Sequence, residues 1–306
     1  MNISALIPQR RLSVLDFALL VLVVFIWGTN FVVIRVGLDH FPPILFAFLR
    51  FFFTAFPLIF IVPKPDVQSR WLAMGGLAIG AQFGILYLGI QMGMTPGLAA
   101  LLMQTQVFLT VAFAAALFKE VLSIRTIIGM GVAAAGLLII AFHLDSSTTL
   151  IGLLLTLSAS SAWACGNLVI KYAKRHAESE FSLMGYMIWS SAFAIFPLAL
   201  LMLQFEGLNT ALQVVKSANM LAWGSVLWQT IGNTLFGFSI WNLMLTRYSA
   251  VTVTPFALLV PIFGLLSSVL LLGEPMPAWK LTAAGLVLLG LAITVIVFHS
   301  RKRMSS

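Results

Sequence analysis

The sequence predicts an all-α membrane protein whose ten transmembrane helices form two inverted five-helix repeats. Three observations support this prediction. Only 8% of the 306 residues are charged, whereas a soluble domain carries roughly 25%. The apolar residues form ten stretches of about 20 residues, the length that a helix needs to cross a bilayer. Residues of the same type also recur in the same order in the two halves of the chain.

The ten stretches are joined by short connections, so no domain outside the membrane is predicted. Runs such as "ALLVLVVFIWG" are continuously apolar, which favours helices over the alternating strands of a membrane barrel. We place the ten helices at about residues 15–36, 43–62, 71–91, 95–118, 124–143, 150–172, 182–204, 220–244, 250–272 and 279–298.

Lysine and arginine residues are unevenly distributed over the connections. They resist translocation, so their distribution sets the orientation of a membrane protein. With the N-terminus in the cytoplasm, most of the 17 basic residues lie on the cytoplasmic side. Both termini are therefore predicted to be cytoplasmic, in the inner membrane of a bacterium. The net charge of +8 reflects this asymmetry and suits an anionic leaflet, so the predicted partner is the lipid bilayer and not nucleic acid.

Matching residues in the two halves define the repeat. The matches involve tryptophan, proline, glutamate and glycine: Trp27 with Trp163, Pro57 with Pro197, Glu120 with Glu274, and Gly131 with Gly285. We divide the chain into a first repeat, residues 1–145, and a second repeat, residues 146–306. Because five is an odd number, the second repeat enters the membrane from the opposite side. Secondary transporters are commonly built in this way; a duplicated bundle that transports nothing is the alternative.

Several short motifs follow one another along the chain in a recognisable order. They are W-G-x-N-F at 27–31, P-P at 42–43, L-R-F at 49–51, T-P-G-L-A-A at 95–100, W-A-C-G-N at 163–167, and a glutamate at the start of the last hairpin of each half. In this set the chain resembles the EamA-type drug/metabolite transporters, and most closely their O-acetylserine/cysteine exporter branch. The resemblance implies ten helices, cytoplasmic termini and efflux of small metabolites.

Arg50 is the most unusual residue within a predicted helix. It lies about seven residues from the helix end, or ~11 Å at 1.5 Å per residue. An ionisable side chain is costly in hydrocarbon unless it faces a cavity or a partner. Two interpretations are equally favoured. The guanidinium binds a substrate carboxylate, or it is a structural group that ties neighbouring helices together.

Amide and aromatic side chains accompany Arg50 in the interior. The predicted substrate-binding residues are Arg50, Trp27, Asn30, Gln82, Tyr87, Gln104, Trp163, Asn167, Gln229 and Asn233. Gln229 and Asn233 are four residues apart and are predicted to share one helical face. Gln104 and Gln106 are two apart, so at most one is expected to point straight into a cavity. The alternative role for any single amide is a hydrogen bond between helices.

Glycines and prolines indicate where helices pack closely or bend. Gly76, Gly80 and Gly84 are spaced by four and predict a flat face against another helix. Prolines interrupt helical hydrogen bonds, and four of them are candidate hinges or fixed kinks: Pro57, Pro197, Pro255 and Pro261.

The acidic residues fall at or beyond the ends of the predicted helices. No carboxylate is therefore predicted at the midplane to relay a proton or hold sodium, and passage down a gradient or exchange is expected. Glu120 and Glu274 are expected to begin the following helix, where a negative charge suits the dipole. Cys165 is the only cysteine, which excludes an internal disulfide. No cofactor and no metal site are predicted.

These features predict a transporter that exports small metabolites by alternating access. Its predicted substrates are amino acids or derivatives such as cysteine and O-acetylserine. The alternative is a broad efflux carrier for drugs and other small molecules. An intramembrane enzyme would need a nucleophile with a base, a carboxylate pair or metal ligands, and none is predicted in the interior. A homodimer is left open.

Overall fold

The computed structural model describes residues 12–118, 121–145, 148–177 and 181–303. Within these ranges the chain forms helices and no strands, as the fold-class prediction requires. The α-helices are α1 (Val14–Leu38), α2 (Pro43–Ala55), α3 (Ser69–Gln91), α4 (Pro96–Leu102), α5 (Gln106–Phe118), α6 (Ile124–Phe142), α7 (Leu150–Arg175), α8 (Leu183–Phe205), α9 (Leu208–Ser217), α10 (Met220–Leu227), α11 (Gly237–Arg247), α12 (Ala250–Val253), α13 (Leu259–Leu272) and α14 (Ala278–Arg303).

Short polar side chains begin several of these helices. Each accepts a hydrogen bond from the amide three residues further on, which satisfies one of the amides left free at a helix start. Ser13 caps α1, Ser123 caps α6, Thr149 caps α7, Ser182 caps α8 and Asn219 caps α10. The apolar stretches therefore become helices with boundaries that the local sequence already specifies.

Eight helical segments within the described ranges are long and apolar enough to cross a membrane. They correspond to the first seven predicted helices and to the ninth. The predicted helix at 220–244 is divided into α10, a π-helix (Trp228–Phe236) and α11. The last contains a shorter apolar helix, Ala278–Thr294. The chain is thus an all-helical membrane protein, and the count of ten spans stays a prediction.

The three glycines of α3 lie against α8, as their spacing predicted. A Cβ atom at Gly76 would lie 2.2 Å from the backbone oxygen of Ser190, and one at Gly80 would lie 3.1 Å from the Cβ atom of Ala194. The absence of side chains at these positions lets the two helices approach closely. The glycines thereby hold α3 and α8, which come from different halves, in direct contact.

Helices of the first half pack against helices of the second half throughout the bundle. The pairs include α6 with α14, α2 with α8, and α4 with α13. The same pairing occurs in both directions between the halves. The first helix of the first half, α1, packs on α13 of the second half, and the first helix of the second half, α7, packs on α5 of the first half. Each half therefore supplies one side of a shared interior.

Two of the predicted helices are interrupted at corresponding places by short 3₁₀ segments. Met103–Thr105 separates α4 from α5, and Thr254–Leu258 separates α12 from α13. These segments occupy equivalent positions in the fourth and ninth predicted helices. Both reach the interior of the bundle, where their backbone departs from regular α-helical geometry.

The four candidate hinge prolines differ in their positions. Pro197 lies within α8, where it removes an internal hydrogen bond as predicted. Pro57 follows the end of α2, Pro255 lies in the first turn of the 3₁₀ segment, and Pro261 lies in the first turn of α13. A proline at a first turn removes no intrahelical bond, so Pro197 is the one of the four that removes a bond inside an α-helix. Pro57 and Pro255 lie where the second and ninth predicted helices are interrupted, and a hinge role stays a prediction for all four.

Candidate functional site

A cavity of about 330 Å³ lies inside the bundle. It extends toward the end where α8 begins and α11 ends, and both halves of the chain contribute to its wall. The wall is mainly apolar with a few amide side chains, the usual composition of a pocket for a small molecule. Most of the predicted binding residues line it: Trp27, Asn30, Gln82, Gln104, Trp163, Asn167 and Asn233.

Arg50, Tyr87 and Gln229 are predicted on the cavity wall, but the structure places them behind it. Nη1 of Arg50 donates to the Tyr87 hydroxyl at 3.3 Å and to Oε1 of Gln229, and Nη2 donates to Oγ1 of Thr234 at 2.9 Å. Cζ of Arg50 lies 3.6 Å from the ring centroid of Phe83, which does line the cavity. A buried guanidinium requires such partners, and the meeting of α2, α3 and the π-helix provides them. Contact of these side chains with a substrate stays a prediction.

The π-helix brings Gln229 and Thr234 together at Arg50. Hydrogen bonds in a π-helix join residues five apart instead of four, so residues five apart lie on nearly the same face. Thr234 Oγ1 accordingly donates to the backbone oxygen of Gln229 at 2.8 Å. Gln229 and Thr234 both face Arg50, whereas Asn233 faces the cavity. Gln229 and Asn233, predicted to share one face, therefore have different surroundings, and only Asn233 of the two lines the cavity.

Gln104 and Gln106 both line the cavity, although the sequence predicts at most one of them there. The α4 helix ends at Leu102 and α5 begins at Gln106, with the 3₁₀ segment between them. The angular spacing of a continuous α-helix therefore does not apply across this break. Two amides from one short segment consequently reach the same cavity.

Hydrogen bonds occupy some of the polar groups on the wall and leave another free. Nδ2 of Asn167 donates to Oε1 of Gln106 at 2.8 Å, and the indole of Trp27 donates to the backbone oxygen of Asn233 at 3.1 Å. Oδ1 of Asn30 is buried without a hydrogen-bond partner. An unsatisfied buried acceptor is costly, and Asn30 is itself one of the residues that line the cavity.

Sequence reasoning missed several aromatic residues of the wall. Phe83, Tyr186 and Phe238 line the cavity but lie in apolar stretches where many phenylalanines and tyrosines face lipid or the core. Apolar character alone does not separate these environments. The glycine spacing of α3 is the one signal that could have located the Tyr186 side of the cavity, because it identifies the helix that packs on α8.

A buried ion pair of the second half lies at the end of the bundle where α4 begins, and it is bonded to the first half. Nζ of Lys280 lies 3.0 Å from Oε1 of Glu274, and their side chains are 2% and 4% exposed. Oε2 of Glu274 accepts a hydrogen bond from the Gly97 amide at 3.0 Å. Glu274 therefore caps α4. The prediction that it begins the following helix is wrong, because α14 begins only at Ala278 and the carboxylate bonds an amide of the other half. Glu120 lies outside the described residues.

Glu206 makes a second contact between the halves at this end. Its two carboxylate oxygens accept hydrogen bonds from the amides of Ile44 and Leu45, each at 2.8 Å. The capping position of α2 is Pro42, which makes no side-chain hydrogen bond, so Glu206 replaces the missing cap. Burial raises the pKa of Glu206, and the two amide hydrogen bonds oppose that shift.

None of the acidic residues that the structure describes lines the cavity. They lie at helix ends or in connections: Asp16, Asp39, Asp66, Asp145, Glu206 and Glu274. Among the described residues, no group of three or more histidine, cysteine or acidic side chains is arranged to hold a metal ion.

A bundle of membrane-length helices that encloses a cavity with amide groups describes a multi-pass membrane protein with a site for a small molecule. The chain belongs to the EamA-like transporter family, whose model matches residues 16–142 and 150–296. The predicted family is thereby confirmed, and this membership points to a transporter and not to an enzyme.

Individual relatives extend over almost the whole chain. A "Probable amino-acid metabolite efflux pump" of Salmonella typhimurium is 39% identical over 94% of this chain and 97% of its own. A protein of the same description from Escherichia coli is 38% identical over the same shares. A solved crystal structure, 17% identical, covers 95% of this chain and 99% of its own with a TM-score of 0.59, a likeness of fold alone.

Proposed function

We propose that the protein exports amino acids or their small derivatives, such as cysteine and O-acetylserine, across the bacterial inner membrane by alternating access. The observation that carries this proposal is the cavity shared by the two halves, because a site between repeats is where secondary transporters bind their substrates. Its volume of about 330 Å³ suits one small metabolite. The names of the two efflux-pump relatives support the same substrate class.

The polar and apolar parts of the wall match the parts of such a substrate. The unpartnered Oδ1 of Asn30 is an acceptor for an ammonium group, which has three donors and no acceptor. Trp27 and Trp163, one from each half, border the same space and offer aromatic surface to a side chain or acyl group. The substrate is thus held by few directional bonds, as an exporter that must release it requires.

The proposed architecture is ten spans in two inverted repeats, residues 1–145 and 146–306, with both termini in the cytoplasm. Two observations support this architecture. Equivalent helices of the two halves pack in the same way, and the family model matches the chain as two separate segments. The interrupted segment from Met220 to Arg247 then counts as one span. The cavity extends toward the cytoplasmic end, and Glu274 with Lys280 and Glu206 close the outer end. Pro197 is the proposed hinge within a helix.

Broad efflux of drugs is the alternative function. Many drugs are hydrophobic cations, which carriers commonly recognise with an interior acid. The part of the wall that the structure describes contains amides and aromatic rings instead. This composition favours metabolites with both ammonium and carboxylate groups. A panel of cationic dyes tested beside amino-acid metabolites distinguishes the two functions.

Export is tested with cells that overproduce the protein in a toxic concentration of cysteine. We expect resistance together with cysteine or O-acetylserine in the medium. Asn30→Leu should lower export about tenfold, because it removes a hydrogen bond to a charged group. Asn209→Leu, on exposed α9, is the matched control and should export normally at the same membrane level. If efflux of a broad panel of metabolites were the same with and without the overproduced protein, the proposal would be wrong.

The topology is tested by cysteine labelling with a membrane-impermeant maleimide. Cys165 is exposed, so the background variant is Cys165→Ser. Cysteines introduced as His176→Cys and Leu208→Cys flank α8 and should label from opposite sides of the membrane, with position 208 outside. Labelling of both positions from one side would contradict the ten-span arrangement.

A further inference from the structure

Arg50 is a buried cation without a carboxylate partner in the part of the chain that the structure describes. It is 1% exposed, and the ion pairs found there join other residues. Its hydrogen-bond partners Tyr87, Gln229 and Thr234 are all neutral. A cation in this position is costly unless an opposite charge approaches it. The protein therefore maintains a positive site that its own described residues do not neutralise.

The groups around Arg50 leave donors unused. Nε of Arg50 and Nε2 of Gln229 are buried without hydrogen-bond partners. A guanidinium only donates hydrogen bonds, so the Gln229 oxygen faces Arg50 and its NH₂ group remains free. The site thus combines one positive charge with two unused donors. This combination fits a ligand with two acceptor oxygens and a negative charge, which is a carboxylate.

The π-helix shapes this site. Its five-residue spacing brings Gln229 and Thr234 to the same face, and both contact the guanidinium. An α-helix would direct these two side chains to different faces. Helical segments of π geometry are frequent at functional sites because they aim side chains in this way.

Phe83 separates the Arg50 site from the cavity. Its ring stacks on the guanidinium at 3.6 Å and also borders the cavity. The ring is held by edge contacts with Phe51 and Tyr87, each at 6.0 Å between centroids. Phe83 is therefore the side chain that stands between the guanidinium and the cavity.

We infer that Arg50, Gln229 and Tyr87 form a second station for the substrate's carboxylate, closed from the cavity by Phe83. The inference rests on the proposed export function and names the group by which that substrate is recognised. Arg50 lies in the half of the bundle where α2 begins and α3 ends, which is the outer half in the proposed orientation. A carboxylate that passes from the cavity to Arg50 therefore moves in the direction of export.

Accessibility of Arg50 is measured on the purified full-length protein with the arginine-selective reagent phenylglyoxal, with modified sites located by mass spectrometry. We expect slow modification of Arg50 in the wild type and at least about tenfold faster modification in Phe83→Ala, as for loss of one aromatic contact. Phe52→Ala is the matched control, because Phe52 is 37% exposed and does not border the cavity. Equal rates in wild type and Phe83→Ala would overturn the closure by Phe83.

Recognition of the carboxylate is tested in the same assay with O-acetylserine and its carboxamide as probes. O-acetylserine should slow the modification of Arg50 in Phe83→Ala, and the carboxamide should not. Equal protection by both probes, or by neither, overturns the inference. In transport, Arg50→Gln should lower export of O-acetylserine about tenfold relative to the carboxamide; an equal loss for both would indicate a structural role alone.

The two proposals fail in different ways. If O-acetylserine protects Arg50 but no metabolite leaves the cell, binding of the carboxylate at Arg50 is supported and the export function is contradicted. If metabolites are exported but the carboxylate group neither protects Arg50 nor affects selectivity, binding of the carboxylate at Arg50 is contradicted and the export function is supported.

Discussion

Replacement of Lys280 by methionine is expected to destabilise the protein by on the order of 3–5 kcal/mol, the cost of leaving a buried charge without its partner. Lys280 and Glu274 are both almost completely buried. Methionine keeps the apolar length of lysine and removes only the ammonium group. The Glu274 carboxylate would retain its bond from the Gly97 amide but lose its counter-charge. The measurement is the apparent melting temperature of the detergent-purified protein, together with its level in the membrane.

The double variant Glu274→Gln/Lys280→Met tests the cause of this loss. It removes both charges, so it should be clearly more stable than Lys280→Met alone. Lys216→Met, at an exposed position of α9, is the control for loss of a lysine and should melt like the wild type. A single Lys280→Met variant as stable as the wild type would contradict the interpretation, as would a double variant less stable than the single one.

Gly76→Ala is the second substitution for which a large effect is expected. The added Cβ atom would lie 2.2 Å from the backbone oxygen of Ser190, so α3 and α8 must separate. Overpacking of this kind costs about 1–3 kcal/mol, and more where backbone atoms must move. Both helices border the cavity, through Gln82 on α3 and Tyr186 on α8. We therefore expect a lower melting temperature and reduced export by the protein that remains folded.

Gly131→Ala is the matched control for Gly76→Ala. A Cβ atom at Gly131 meets no atom within 4 Å, and alanine favours a helix over glycine by about 1 kcal/mol. This variant should be as stable as the wild type or slightly more stable. If Gly76→Ala and Gly131→Ala behaved alike, the close contact between α3 and α8 would not contribute to stability.

Much of the fold and part of the site were predictable because they depend on local patterns. The apolar stretches, the glycine spacing in α3 and the positions of the acidic residues all have direct physical meanings in a membrane. Asn30 and Asn167 were predicted as substrate-binding residues and both line the cavity, although the sequence alone left a hydrogen bond between helices as the alternative. The ordered motifs also resemble those of the EamA-type transporters, and the family model confirms this resemblance.

Predictions failed where a helix departs from regular α-helical geometry. The expectation that at most one of Gln104 and Gln106 points into the cavity assumed the angular spacing of an α-helix. The same spacing would place residues five apart, such as Gln229 and Thr234, on different faces. The π-helix and the 3₁₀ segment change that spacing within a few residues. Glu274 was assigned to the following helix because sequence shows only neighbours along the chain, whereas Gly97 of the other half is its neighbour in space.

The sequence by itself determined that this chain is a helical membrane protein with few interior charges, since composition and hydrophobic length decide which solvent a segment prefers. Tertiary structure alone decided that Arg50 lies behind Phe83 and that Asn30 borders the cavity. The reason is that a buried polar group is positioned by the partners that satisfy it, and those partners come from helices distant in the sequence.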